Sequence, residues 1–165
     1  VKNDKAMQGG DVGKIVELVD AKVLPHMDFK RMTASAVGRN WRTATPEQQK
    51  KLQDEFKLLL VRTYAGALTE VREGTTVNLK PTRAAAEDTE VVVRTEVKTK
   101  GEPIQLDYRL EKTDGGWKIY DLNILGVWLV ENYKSQFSSQ VNSSGIDGLI
   151  KTLTERNSQL AQKKA

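Results

Sequence analysis

The chain has 165 residues, enough for one domain of ordinary size that buries roughly 70% of its unfolded surface without staples. It has no cysteine and a single histidine, which excludes disulfides, thiol catalysis and thiolate metal sites, and leaves any zinc site dependent on carboxylates. Its net charge of +4 comes from 26 basic and 22 acidic residues scattered along the chain rather than a dense basic stripe, so nucleic acid is not an expected partner, and no apolar run reaches the roughly 20 residues of a membrane span.

Residues 1–10 are polar with a Gly9-Gly10 pair and read as a loose end. Val1 in place of an initiating Met is what removal of a leader or tag would leave. From Asp11, a plausible N-cap, the spacing of Val12, Ile15, Val16, Val19 and Val23 predicts a helix stopped by Pro25. A short helix is expected over residues 28–37, ended by Gly38. The clearest helix follows. Thr45 can cap it, Pro46 suits its first position, and Gln48 stands where a capping box wants Glu or Gln. Leu52, Phe56, Leu59, Leu60, Tyr64, Ala67 and Leu68 then keep a period near 3.6, to about Val71.

After Gly74 the pattern changes to strands. Residues 75–80 are β-rich and stop at Pro81. Within 89–100, Val91, Val93, Thr95 and Val97 alternate with charged residues. Ile104, Leu106, Tyr108 and Leu110 do the same. Lys100-Gly101-Glu102 and Asp114-Gly115-Gly116 read as hairpin turns. In the last strand, from Trp117, both faces turn apolar at Tyr120, Leu122 and Ile124, so it is either covered on both sides or bulged. Val127 to Val130 open a helical pattern; Val130, Tyr133, Phe137 and Val141 form one stripe, and Ile146, Leu149, Ile150, Leu153 and Leu160 another. Residues 161–165 read as a solvated tail. The order predicts a single α+β domain over residues 1–165: a curved, antiparallel, four-stranded meander sheet with helices packed on one face, before and after the strands.

Little in the chain points to catalysis. His26 follows Pro25 at a helix end, where a cation favours the helix dipole. No serine occupies a nucleophile elbow, and the Gly-Gly pairs lack the spacing of phosphate loops. Asp121, inside an apolar strand, is expected to accept backbone hydrogen bonds at a bulge near Gly126 rather than act as an acid or base. Trp117, Trp128, Tyr133 and Phe137 gather much aromatic surface at one strand-to-helix junction, either as filled core or as the wall of an apolar cavity.

The run Trp117-Lys118-Ile119-Tyr120-Asp121, continuing through Gly126-Val127, Leu129-Val130, Asn132-Tyr133 and Phe137, resembles the signature of the MlaC, or toluene-tolerance, family. Residues 23–29 with Val37-Gly38 and Trp41-Arg42 match it as well, and so does Thr45-Pro46-Glu47 leading to Phe56, Leu59, Leu60, Thr63 and Tyr64. Trp128, where a small residue such as serine is expected, and Asn40, in place of a bulkier residue, depart from the pattern; a large ring at 128 would reshape a pocket mouth.

The resemblance implies a non-enzymatic, soluble periplasmic carrier of phospholipid that helps maintain outer-membrane lipid asymmetry. Phospholipid would be its cargo, and it would need no cofactor and no metal. Such a carrier works as a monomer between an outer-membrane lipoprotein complex and an inner-membrane lipid ABC transporter complex. Its sheet and helices would enclose an apolar cavity for acyl chains. The inward faces deduced above make Tyr64, Leu68, Val93, Leu106, Tyr108, Val130, Tyr133 and Phe137 the expected lining, with Trp117 of the aromatic cluster.

Overall fold

The computed structural model describes residues 4–71 and 73–163. Asp4 opens it by accepting from the Met7 N–H at 3.2 Å, which caps a single turn, α1 (Lys5–Gln8). Part of the stretch expected to be loose is therefore helical, while residues 1–3 lie outside the described residues. Asp11 caps α2 (Val12–Leu18) as expected. The helix does not continue unbroken to Pro25: a π-helical turn, Val19–Val23, and a 3-10 turn, Leu24–His26, complete it. Asp28 accepts from the Arg31 N–H to start α3 (Phe29–Val37), and Gly38, at φ 76°, ends it. A 3-10 stretch, Gly38–Thr43, leads to α4 (Pro46–Thr69). The capping box is complete: the Thr45 hydroxyl accepts from the Gln48 N–H at 3.1 Å, and Gln48 Oε1 accepts from the Thr45 N–H at 2.9 Å.

The strands are β1 (Thr76–Leu79), β2 (Glu90–Lys98), β3 (Ile104–Thr113), β4 (Gly116–Ile124) and β5 (Val127–Trp128). They form one antiparallel meander in the order β1-β2-β3-β4-β5. The architecture is the α+β arrangement expected, with one strand more. Leu125 and Gly126 both have positive φ, so the chain turns in two residues and Val127-Trp128 pairs back on β4 before any helix begins. Helix α5 (Leu129–Gln162) follows. Gly145, at φ 73° and ψ −175°, breaks it into the two helices read from the sequence. Of the tail expected to be solvated, residues 161–163 are exposed. Leu160 packs on the core, which holds the helix to Gln162; residues 164 and 165 lie outside the described residues.

The core belongs to the helices. Its main cluster joins Met32, Ala36 and Val37 of α3 and Leu52, Phe56 and Leu59 of α4 to Val130, Tyr133, Phe137 and Leu149 of α5, among others. Phe56 meets the Tyr133 and Phe137 rings edge-on, each with centroids 5.2 Å apart. A smaller cluster sets Ile15 against Val61 and Ala65. No strand residue belongs to either buried cluster.

Candidate functional site

The register assigns each strand residue to a face. Leu79, Thr95, Leu106, Ile124 and Val127 form one row across all five strands. Val93, Tyr108 and Leu122 form the next row on the same face, and Val91, Leu110 and Ile119 a third. The opposite face carries Arg94, Asp107 and Asn123 in one row and Val92, Arg109 and Asp121 in another.

Burial runs against the usual pattern. Among the described strand residues, those fully buried are polar: Thr95, Asp107, Asp121 and Asn123. The apolar rows are only half-buried, and at the edges of the sheet Val77, Leu79 and Val127 are exposed. A sheet face rich in Val, Leu and Ile normally closes on a core, each such side chain gaining roughly 1.5–3 kcal/mol. Here that gain is only partly realised, and the surface stands ready for something apolar to cover it.

A bulge creates this arrangement. Leu110 pairs with Ile119 and Arg109 with Asp121, so Tyr120 is the extra residue. In a regular strand Ile119 and Asp121 would share a face. The bulge moves Asp121 to the polar face beside Arg109, whose Nη1 lies 3.4 Å from its carboxylate. Asp121 Oδ1 then accepts from the Leu122 N–H at 2.8 Å and the Val130 N–H at 3.1 Å. Trp128 is the N-cap residue of α5 and makes no side-chain cap bond, so Asp121 caps the helix from the neighbouring strand. Burial pushes the Asp121 carboxyl above the ordinary range; the two backbone bonds and Arg109 pull it down.

Trp128 does not join the apolar cluster expected for it. It pairs with Asn123 in β5, and the Arg109 guanidinium stacks on its ring at 4.0 Å. Four fastenings join helical segments to β4 and its neighbours. The Asp28 N–H donates to the Ile119 carbonyl at 2.8 Å, beside a parallel bridge of Met27 to Ile119. Lys118 donates to the Pro25 carbonyl. Arg31 pairs with Glu111 and Glu90 and stacks on Tyr120 at 3.9 Å. The fourth is the Asp121 cap.

The nine expected lining residues fall into separate places. Val93, Leu106 and Tyr108 share the half-buried sheet face. Burial pushes the Tyr108 phenol up, opposed by a side-chain hydrogen bond with Thr95. Val130, Tyr133 and Phe137 lie in the helical core. Tyr64 is half-buried near Tyr133; burial, then that neighbour, raises its phenol. Leu68 packs on the smaller cluster with Val61 and Ala65. Trp117 is 41% exposed and pairs with Lys112 next to the β3–β4 turn, away from the other aromatic residues. Sequence reasoning missed Leu122 and Ile124 as members of the apolar face. The only signal for them was the broken alternation after Ile119.

Two depressions, of about 260 and 190 Å³, lie elsewhere: one between Gln48, Lys51, Asp147 and Ile150, the other between Glu73, Thr75, Thr99 and Gly101. Neither is lined by any of the nine residues. Both are smaller than the roughly 300–1,000 Å³ of ordinary ligand sites. His26 is exposed, and among the described residues no three His, Asp or Glu side chains converge as metal ligands. No helix among them is long and apolar enough to cross a membrane.

Known proteins are similar to this chain in sequence, and one of them in architecture. A phospholipid-binding protein from Ralstonia solanacearum, solved in complex with a phospholipid, superposes with a TM-score of 0.93 at 55% identity, covering 97% of this chain and 89% of that one. The Haemophilus influenzae intermembrane phospholipid transport system binding protein MlaC is 25% identical over 86% of this chain and 68% of its own length. The Pseudomonas putida toluene tolerance protein ttg2D is 31% identical over 68% of this chain, a match spanning 51% of that relative. The MlaC protein family model matches residues 1–155, and with an α+β meander of the same shape as a phospholipid-bound relative, the chain belongs to the MlaC family.

Proposed function

We propose that this chain is a non-enzymatic phospholipid carrier of the periplasm, working as a monomer and a single domain without a cofactor. Acyl tails lie against the apolar sheet face of Val93, Leu106 and Tyr108, opposite the helical residues Tyr64, Val130, Tyr133 and Phe137, with Leu68 and Trp117 at the margins. Its partners are an inner-membrane lipid ABC transporter complex and an outer-membrane lipoprotein complex, between which it maintains outer-membrane lipid asymmetry.

The observation that carries this reading is the half-exposed apolar face, which neither buried cluster takes up. The 55% identical relative held with a phospholipid supports it. The energy is sufficient: at about 0.8 kcal/mol per methylene, a sixteen-carbon tail offers on the order of 12 kcal/mol gross. Opening the fold and ordering the lipid offset part of this, so release at a membrane complex calls for a partner that widens the cleft.

The test is native mass spectrometry of protein purified from lipid-containing cells, followed by analysis of its extract. Adducts with phospholipid masses are expected. A protein that emerges lipid-free and takes up no added phospholipid refutes the proposal.

A further inference from the structure

We propose that one end of the sheet is the mouth over which acyl chains enter and leave. It is formed by the row Leu79, Thr95, Leu106, Ile124 and Val127, in which the Thr95 hydroxyl donates to the Leu106 carbonyl at 2.6 Å, with Val77 and Leu125 beside it. The inference rests on the carrier reading and adds where the cargo crosses.

Exposure of apolar side chains concentrates at this end. Val77 is 62%, Leu79 70%, Leu125 69% and Val127 44% exposed. Three of the four fastenings between helices and sheet lie at the other end, at Glu90, Glu111, Lys118 and Ile119, and the fourth, the Asp121 cap of α5, lies on the β4–β5 side. Ile119 and Ile124 stand on the same strand, roughly 17 Å apart at about 3.3 Å per residue. On its β1 side, at Val77 and Leu79, the rim carries none of these fastenings.

Leu125 adds an independent observation. It is a non-glycine residue at φ 53°, followed by Gly126 at φ 87°. A two-residue turn with both φ positive favours Asn-Gly, on conformational grounds and for contact with water. Leucine is the poorer choice on both counts. Neither folding nor solvation accounts for it, whereas contact with passing hydrocarbon does.

The occupant follows from continuity. Leu106 and Ile124 of the rim lead along the same face to Tyr108 and Leu122, the surface proposed to cover the tails. A protein partner needs no such track into the interior. A fatty tail does, because each methylene left in water on the way raises the barrier.

The experiment measures uptake of a fluorescent phospholipid by delipidated protein from phosphatidylethanolamine–phosphatidylglycerol vesicles. Both the rate and the load at equilibrium are read. Val77→Glu and Leu79→Glu place a charge on exposed rim positions; Leu79→Ser is an uncharged version should a Glu variant fail to fold. Val92→Glu adds the same charge on the opposite face. The rim variants are expected to load to the native extent at least about tenfold more slowly, a barrier about 1.4 kcal/mol higher, while Val92→Glu keeps the native rate. Native rates in the rim variants overturn the inference, as does equal slowing by Val92→Glu. A native protein that takes up no lipid refutes the carrier reading itself, and this inference with it.

Discussion

Asp121 shows how one side chain can organise a junction. It is 2% exposed, lies at the bulge, and supplies the N-cap that Trp128 does not. Removing it leaves the Val130 N–H without its partner and Arg109 without its counter-ion. Asp121→Ala should therefore cost about 1–3 kcal/mol in urea unfolding. Asp121→Asn, which keeps one acceptor, should cost less. The pH dependence has a definite sign. Burial holds the carboxyl above its ordinary value of 3.8. A folded-state pKa above the unfolded one means the folded chain binds the proton more tightly, so this contribution to stability is full below 3.8 and is lost as pH rises through the folded pKa. The stability advantage of the native protein over Asp121→Asn should then shrink between pH 3 and pH 7. An advantage that grows over that range contradicts the assignment.

At the scale of elements, caps and breaks are readable and quantifiable. Thr45→Ala removes half of the capping box of α4 and should cost about 1 kcal/mol. Gly145→Ala forces a side chain into a backbone region that glycine nearly alone adopts, and should cost about 1–3 kcal/mol. Both are measured as shifts in the urea midpoint.

Helical and sheet positions should respond differently to charge. Val130→Glu buries a carboxylate in the helical core and should cost on the order of 3 kcal/mol or more. Leu106→Glu, on the half-buried sheet face, should stay folded and lose at least about tenfold in phospholipid affinity. A folded Leu106→Glu protein with native affinity would move the tails off that face.

These elements also show what the sequence could and could not disclose. The capping box and the stripe of α4 are local signals, so Thr45, Pro46 and Gln48 announced the helix. Strict alternation in β2 and β3 did the same for the sheet. Asp121 was readable as a backbone acceptor, because a lone carboxylate among apolar residues has few other satisfied states, although the bulge falls at Tyr120 rather than near Gly126. The short strand β5 was not readable. Val127-Trp128 is apolar and continues smoothly into a helical stripe, and only the two positive φ values before it reverse the chain. Nor was the division between core and wall. Phe137 and Val93 both carry wholly apolar side chains, and only tertiary packing buries one and leaves the other half-exposed. Pairing of Met27 with Ile119 joins distant segments and leaves no local trace.

For the whole molecule, cargo should act as a stabiliser. A ligand at a hundred times its Kd adds about 2.7 kcal/mol, which in a domain of this size raises the unfolding midpoint by roughly 5–10 °C. Delipidated protein reloaded with phospholipid should show that shift in a thermal melt. Head-group selectivity should be weak, because several cations of the sheet and its neighbours are already engaged: Lys80 and Lys98 next to the rim with Glu96, Lys118 with the Pro25 carbonyl, Arg109 with Asp121 and Trp128, and Arg31 with Glu111. Extracted lipid should mirror the host membrane, and a bound fraction dominated by one scarce head group would contradict this.

The buried cluster has a kinetic corollary. It joins α4 to α5 with the whole meander looped out between them, so core closure spans roughly 70 residues, an entropic cost that grows with the logarithm of loop length. Hairpins of consecutive strands are short-range by contrast, and once formed they shorten that loop. The sheet should therefore assemble early and the aromatic core late. In a stopped-flow series, substitutions along β2–β3 should slow refolding, whereas Phe137→Leu should mainly speed unfolding.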